Sequence, residues 1–128
     1  MRYPVAIETG TKEAAFGVVV PDLPGCFSAG DTIEEAMANV EEAIGLWIDA
    51  ALDADTAIPH PSPLDAVRQD PKFAGWALAF AWLDPAALDD TVERVNITIP
   101  RRVLYRLDQR AKAAGESRSG YIAKLALS

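Results

Sequence analysis

The feature that most constrains this chain is a single predicted strand at residues 94–99, which has no partner strand close to it in the sequence. Apolar Val95, Ile97 and Ile99 alternate there with polar residues, the two-residue period of a strand with one buried face. Residues 85–92 are expected to form a linker, and a helix follows the strand directly. Because a strand needs hydrogen-bonding partners for its backbone, the simplest arrangement is an antiparallel ribbon with a second copy of the chain. The segment therefore predicts a homodimer through this ribbon, with a higher oligomer as the alternative.

Two short helices are predicted after Pro100, which ends the strand. Between Arg101 and Ala114, apolar residues recur on one helical stripe, and Gly115 stands where a left-handed C-cap belongs. Ser117 is expected to cap the second helix.

The polar face of the predicted ribbon is suited to DNA. A two-stranded ribbon fits the major groove, where its outward side chains can read base edges. The candidate base-reading residues are Arg94, Asn96 and Thr98. The candidate phosphate-binding residues, at the start of the second helix, are Ser117, Arg118 and Ser119. The order of strand, Pro, helix, Gly and Ser-Arg-Ser resembles the ribbon-helix-helix DNA-binding module; the alternative is a dimerisation ribbon with no nucleic-acid role.

The charge of the chain divides sharply. The net charge is −7 over 128 residues. Residues 93–128 contain eight basic residues (Lys and Arg) and three acidic residues (Asp and Glu), a net charge of +5. Residues 1–92 contain four basic and sixteen acidic residues, a net charge of −12. An acidic body joined to a basic tail favours a tail that binds nucleic acid and a body that repels nucleic acid or binds a basic partner.

Residues 1–84 predict an α+β body in which one long helix lies on a small sheet, in the order β-β-β-α-β. The predicted strands are residues 3–7, 15–20, 26–29 and 76–83, and a turn at residues 9–12 joins the first two. The predicted domains are then the body at 1–84, the linker at 85–92 and the ribbon-helix-helix domain at 93–128.

The long helix has a well-marked start, with a capping box formed either by Asp31 and Glu34 or by Thr32 and Glu35. Its apolar residues recur at helical spacing as far as Leu52. Acidic residues occupy the other faces and are candidate contacts for a basic protein; the alternative is an ordinary solvated surface. The four candidates are Glu34, Glu35, Glu41 and Glu42.

Nearly the whole chain resembles the HicB antitoxins, which are the partners of HicA toxins. The matching segments are Tyr3-Pro4-Val5, Pro21-Asp22-Leu23-Pro24-Gly25-Cys26-Phe27, Gly30-Asp31-Thr32-Ile33-Glu34-Glu35-Ala36, Ile58-Pro59 with Pro61-Ser62, and Arg94-Val95-Asn96-Ile97-Thr98-Ile99-Pro100. The resemblance implies a partial RNase H-like body that binds and masks a basic, mRNA-cleaving HicA-like toxin. It also implies that the ribbon-helix-helix tail binds the operator of its own operon.

An RNase H-like outline raises the hypothesis of a metal-dependent nuclease, but no carboxylates have the spacing of a metal site. His60 is the only histidine and is expected to be exposed between two prolines, while Cys26 is expected to be a small buried residue. The three tryptophans, at positions 47, 76 and 82, are expected in the core. We therefore predict no enzyme activity, no cofactor and no metal.

The single cysteine and the absence of an apolar stretch of about 18 residues predict a cytoplasmic protein with no membrane span. The leading hypothesis is an antitoxin and autorepressor. The alternative is a stand-alone ribbon-helix-helix repressor whose body binds a small ligand or only oligomerises.

Overall fold

Four antiparallel strands form the sheet of the body in the order β3-β2-β1-β4. The computed structural model describes residues 1–9 and 15–128. The strands are β1 (Arg2–Glu8), β2 (Phe16–Val19), β3 (Phe27–Gly30) and β4 (Ala77–Trp82). Each differs from its predicted range by one residue at both ends. Most of the predicted turn at residues 9–12 lies outside the described residues.

The long helix α1 (Ile33–Asp53) follows β3, as predicted, and α2 (Leu64–Arg68) is a single short helix. A 3-10 turn, Pro85–Leu88, follows β4, and Leu88 packs against the core of the body. The chain divides into two compact units, Met1–Asp90 and Thr91–Ser128, so the boundary falls within the predicted linker.

The core of the body lies between α1 and one face of the sheet. Alternate residues of the strands point at the helix, beginning with Tyr3, Val5 and Ile7 of β1. Helical residues four apart meet them from the other side. The buried residues of this α1 stripe are Ala36, Val40, Ile44, Ile48 and Ala51.

The N-terminus of α1 uses the second of the two predicted capping pairs. Thr32 Oγ1 accepts a hydrogen bond from the Glu35 amide at 3.0 Å, and a Glu35 carboxylate oxygen accepts one from the Asp31 amide at 3.3 Å. The Glu35 carboxylate therefore lies at the positive end of the helix, where a negative charge is stabilised.

Gly30 allows α1 to approach β3 very closely. A Cβ atom at this position would lie 2.5 Å from the backbone nitrogen of Ala36. Two side-chain hydrogen bonds join the same elements: Ser28 Oγ donates to the Ala36 carbonyl at 3.0 Å, and Asn39 Nδ2 donates to the Ala29 carbonyl at 2.8 Å. Backbone therefore packs directly on backbone at this point.

The expectation that Trp82 belongs to the core is wrong. The alanines of β4 face α1, with Ala81 fully buried, whereas Phe80 and Trp82 lie on the opposite face of the sheet and are 46% and 57% exposed. Trp47 is partly buried against the core, and Trp76 makes an edge-to-face contact with Phe73. Side chains alternate along a strand, so with the alanines in the core the large residues of β4 lie on the opposite face.

Two side chains hold the proline-rich connector between α1 and α2. The Tyr3 hydroxyl donates to the Pro59 carbonyl at 2.7 Å. Asp22 accepts hydrogen bonds from both the backbone amide and the hydroxyl of Ser62. Burial, with the nearby Asp22 carboxylate as a smaller cause, raises the pKa of Tyr3.

Backbone hydrogen bonds hold the turn that carries Asp22. Leu23 donates to the Val20 carbonyl at 3.1 Å, and Cys26 donates to the Leu23 carbonyl at 2.9 Å. The second of these hydrogen bonds closes a turn with Pro24 and Gly25 at its central positions. Gly25 has φ +81°, as a type II turn requires. Trp47 Nε1 donates to the Pro24 carbonyl at 2.9 Å, which ties the turn to α1.

The second unit contains α3 (Arg101–Ala113) and α4 (Arg118–Leu127). Ser117 caps α4 as predicted, since its Oγ accepts from the Gly120 amide at 3.0 Å, and Gly115 has φ +68° after α3. Residues 91–100 carry no helix or strand in the single chain. The ribbon strand at 94–99, which requires a second chain, therefore remains a prediction.

We expect Gly30→Ala to lower the free energy of unfolding of the body by about 1–3 kcal/mol or more, because the added methyl group meets backbone that has no alternative rotamer. Chemical denaturation followed by tryptophan fluorescence would measure this loss. Gly17→Ala is the matched control, since a Cβ atom at Gly17 meets nothing within 4 Å. Equal stability of the two variants would show that the close approach at Gly30 is not required.

Candidate functional site

The predicted base-reading residues lie in an exposed extended segment of the tail. Arg94, Asn96 and Thr98 are all exposed. The apolar residues between them are exposed as well: Val95 is 70% and Ile97 is 62% accessible. The other described residues of a single chain do not cover this apolar face. A strand that pairs with a second chain would present such an uncovered face.

A groove of about 680 Å³ brings part of the predicted base-reading set together with part of the predicted phosphate-binding set. Its walls come from residues 92–97 on one side and from α4 on the other. The predicted residues that line it are Arg94, Asn96, Arg118 and Ser119. Thr98 and Ser117 are outside this lining.

Arg118 is held in place by a bidentate ion pair with Asp108. The Arg118 Nε and one terminal nitrogen donate to the two carboxylate oxygens of Asp108, each at 2.9 Å. This hydrogen bonding lowers the pKa of Asp108 and raises the pKa of Arg118. A guanidinium has five N–H donors, so Arg118 keeps three donors for a phosphate while the other two connect α4 to α3. Sequence reasoning missed Asp108 because ten residues separate the pair, which is not a helical spacing.

The hydroxyls at the start of α4 are partly used within the chain. Ser117 Oγ accepts the capping hydrogen bond and lies 3.5 Å from Ser119 Oγ. One of the two hydroxyls donates in this contact, which leaves the hydroxyl hydrogen of the other available as a donor. Together with the Arg118 guanidinium, these groups can donate hydrogen bonds to an anion at the helix N-terminus.

A second groove, of about 290 Å³, lies between α3 and α4. Three arginines at a spacing of four residues line it, Arg102, Arg106 and Arg110, with apolar residues beneath them. Sequence reasoning did not single out this row, although its spacing was visible.

The acidic candidates lie on the solvent side of α1. Glu34, Glu35, Glu41 and Glu42 are all exposed. None of them forms an ion pair within the described residues, and α1 contains no Lys or Arg. Glu35 also accepts the hydrogen bond at the start of the helix. The face therefore carries uncompensated negative charge.

An exposed leucine lies within this acidic face, and sequence reasoning missed it. Leu46 is 60% exposed, four residues after Glu42 and three before Asp49. These spacings put the three residues on one side of the helix. A large apolar side chain surrounded by charges is typical of a protein-binding surface.

The structure brings together no set of metal ligands: within the described residues, no three His, Cys, Asp or Glu side chains lie close enough to hold a metal ion. His60 is exposed, as expected. Cys26 is buried, and burial raises the pKa of its thiol, which disfavours the reactive thiolate. No helix in residues 1–9 or 15–128 is both long and apolar enough to span a bilayer.

Comparison with known proteins gives consistent matches. Residues 3–126 match the sequence profile of the family described as HicB_like antitoxin of bacterial toxin-antitoxin system. An uncharacterised 14.9 kDa protein of Haemophilus phage HP1 is 37% identical, over 98% of this chain and 95% of that protein. Antitoxin HicB of Escherichia coli K12 is 35% identical over 66 residues, which are 52% of this chain and 47% of that protein.

Solved structures match in fold as well. The crystal structure of the Burkholderia pseudomallei antitoxin HicB has a TM-score of 0.64 and 34% identity, covering 99% of this chain and 96% of that chain. A HicA3 and HicB3 toxin-antitoxin complex contains a chain with a TM-score of 0.56 and 33% identity, covering 66% of this chain and 100% of that chain.

We expect Asp108→Asn to lower the thermal stability of the α3–α4 pair at neutral pH. The folded pKa of Asp108 is below its unfolded value, so the ion pair stabilises fully above the unfolded value, which is about 4. That stabilisation is lost as the pH falls through the lowered folded value. The difference in melting temperature between Asp108→Asn and the natural protein should therefore disappear in acid.

The measurement is circular dichroism at helical wavelengths during heating, at pH 7 and in steps below pH 4. Glu116→Gln is the control, because Glu116 makes only a longer, exposed pair with Lys124 at 3.8 Å. A destabilisation of Asp108→Asn that persists unchanged in acid would contradict the role of the carboxylate charge.

Proposed function

Because the chain belongs to the HicB-like antitoxin family of bacterial toxin–antitoxin systems, we propose that it neutralises a HicA-like toxin with its body and represses its own operon with its tail. The observation that carries the proposal is the division between two units. The acidic face of α1 has no ion pairs within the described residues, and the basic tail has almost no core of its own. Neither activity requires catalysis, and both take place in the cytoplasm.

The acidic face of α1 supports toxin binding. An RNase binds a polyanionic substrate, so a toxin of this kind needs a basic surface, and a body with uncompensated carboxylates is complementary to such a surface. Leu46 adds an apolar contact among these carboxylates. The HicA3–HicB3 complex, whose antitoxin chain is similar to this one over 66% of this chain, supports a toxin partner of the same class.

The lack of a hydrophobic core in the tail supports the proposal that the chain dimerises there. Thr91–Ser128 comprises 38 residues, and among those the structure describes only Ala111 is buried. A unit of fewer than about 40 residues usually needs a metal, a disulfide or a partner to be stable. A second copy can cover Val95 and Ile97 and supply the hydrogen-bonding partner for residues 94–99, which forms a ribbon-helix-helix dimer.

Pairing of two ribbons would also generate the DNA-binding surface. Side chains alternate along a strand, so burying Val95 and Ile97 leaves the polar side chains between them on the other face. We propose that Arg94, Asn96 and Thr98 of both copies then read bases in the major groove. Arg118, fixed by Asp108, and the hydroxyls of Ser117 and Ser119 would hold the flanking phosphates.

We expect Asn96→Ala to weaken binding to the chain's own promoter by about 1–3 kcal/mol and to leave binding to random DNA nearly unchanged, since base contacts give specificity. Arg118→Ala should weaken binding to both DNAs alike and reduce the salt dependence. Fluorescence anisotropy at several salt concentrations would measure both effects.

The control for this DNA experiment is Asp108→Asn, which removes the ion pair but keeps the Arg118 charge, so it separates loss of structure from loss of a phosphate contact. Equal losses of Asn96→Ala on promoter and random DNA would exclude base reading by Asn96.

We expect Glu41→Lys combined with Glu42→Lys to weaken binding of the HicA-like toxin by roughly tenfold or more, mainly through slower association, because the substitutions reverse the charge that attracts a basic partner. Surface plasmon resonance against a catalytically inactive toxin would measure the rates. The control is Asp65→Lys, which changes the charge of an exposed residue on α2, a helix that packs on β1. Unchanged binding by the α1 variant would place the toxin elsewhere on the body.

A further inference from the structure

The first residues of α3 carry positive charge that the described part of the chain does not pair. α3 begins with Arg101 and Arg102, and its first turn contains no acidic residue. Both arginines are exposed, and neither forms an ion pair within the described residues. Arg102 lines the groove between α3 and α4, whereas Arg101 lines neither of the two grooves of the tail. Arg101 is therefore the arginine that is open to a partner outside its own helix pair.

An acidic residue lies at the other end of the predicted ribbon strand. Glu93 comes two residues before Val95, in step with the alternating apolar positions. Side chains alternate along a strand, so an extended segment puts Glu93 at the end of the apolar face. Glu93 is exposed and forms no ion pair within the described residues. A carboxylate at the margin of a face that a second copy covers is stabilised if that copy supplies a positive charge there.

Symmetry restricts how two ribbon strands can pair. A two-fold axis normal to the ribbon does not exchange its faces, and residues directly opposite each other share a face, so each residue lies opposite one of its own parity. Two centres satisfy this condition and keep Ile97 opposite an apolar residue, namely Asn96 and Ile97 itself. A centre nearer the start would set Ile97 opposite Glu93, and a later one would draw α3 into the strand.

Both registers bring Glu93 to the start of α3 of the second copy. With the centre at Asn96, Glu93 lies opposite Ile99, two positions before Arg101. With the centre at Ile97, it lies opposite Arg101 itself. Two strand positions span about 7 Å, a distance that two long side chains bridge. The contact therefore does not depend on which of the two registers the ribbon adopts.

We propose that Glu93 of each copy forms an ion pair with Arg101 of the other, an inference that rests on the ribbon dimer of the proposed function. The two charges are opposite and lack partners within the described residues of their own chain, and symmetry repeats the contact twice. Backbone hydrogen bonds of a ribbon are the same for any two strands. The charge pair thus selects a second copy of this chain over a ribbon with a basic residue at that position.

Cross-linking across the ribbon of the full chain measures this pairing. Asn96→Cys combined with Thr98→Cys places thiols opposite each other in either register, at Cα distances of about 4.5–5.5 Å that a disulfide can bridge. The natural Cys26 is buried, so the introduced thiols are the accessible ones. The rate of covalent dimer formation is compared at the lowest concentration at which this parent chain cross-links, because there the rate follows the paired fraction.

Glu93→Arg in the parent chain should lower the rate about tenfold or more, because two attractive contacts become two repulsive ones. Adding Arg101→Glu should restore the rate to within about twofold, since the reversed charges match again. Arg102→Glu is the matched control: it gives the same net charge one residue away, on the side of the α3–α4 groove, and should leave the rate low. Equal rescue by the two substitutions would reduce the effect to net charge and overturn the proposal.

A mixture tests the selection of a partner. The parent chain is mixed with an equal amount of a size-tagged chain that also carries Glu93→Arg and Arg101→Glu. Both ion-pair positions of a mixed dimer then hold like charges, so we expect mixed dimers to be about tenfold rarer than self-paired dimers. Mixed dimers as frequent as the two self-paired dimers together, the proportion of random pairing, would overturn the proposal.

Ile97→Asp separates failure of this inference from failure of the ribbon itself. It puts a charge into the apolar face and should abolish cross-linking of the parent chain. Cross-linking that Ile97→Asp leaves unchanged, or a parent chain that does not cross-link, would count against the proposed ribbon and this inference together. Cross-linking that Ile97→Asp abolishes but Glu93→Arg leaves unchanged would keep the ribbon and overturn only the pair of Glu93 with Arg101.

Discussion

The body depends on the close contact between the start of α1 and β3. Because Gly30 has no side chain, the backbone of Ala36 can approach it, and the apolar stripe of α1 then lies directly over the sheet. At the other edge of the sheet, the alanines of β4 face the core and its larger residues lie on the far face. One missing methyl group thus allows the close contact by which α1 packs on β3.

The burial of one stripe of α1 also determines the electrostatic surface. Because that stripe is apolar, the carboxylates of the helix face solvent, and the helix contains no basic residue to pair with them. Their charge is therefore a surface property that acts on other molecules. The hydrogen bond that Tyr3 donates and those that Asp22 accepts hold the proline-rich connector against this frame and join segments that are far apart in the sequence.

The tail differs from the body because it has almost no hydrophobic core. Two helices joined by the Arg118–Asp108 pair bury almost nothing of their own within the described residues. We propose that the second copy, which stabilises the tail, also creates the DNA-binding surface. Folding of the tail, dimerisation and operator binding would then be coupled. A repressor built this way would bind DNA only at concentrations at which it pairs.

Much of the local structure could be predicted from residue spacing. The periods of the four strands of the body and of α1, the caps at Thr32 and Ser117, and the buried position of Cys26 depend on near neighbours, and the structure confirms them. The sequence offered two capping pairs for α1, and only the structure shows Thr32 with Glu35. The ion pair of Arg118 was not predictable, because its partner lies in the preceding helix at a spacing that no regular element produces.

The sequence by itself determined the order of elements, the separation of acidic body from basic tail, and the family to which the chain belongs, because these follow from composition and from neighbours along the chain. Only the tertiary structure decided that the alanine side of β4 faces the helix, that Asp22 meets Ser62, and that β4 forms one edge of the sheet. Alternation along a strand shows that it has two faces. Which face is buried, and which edge is free, depends on the order of strands in the sheet and on which side of the sheet the helix lies.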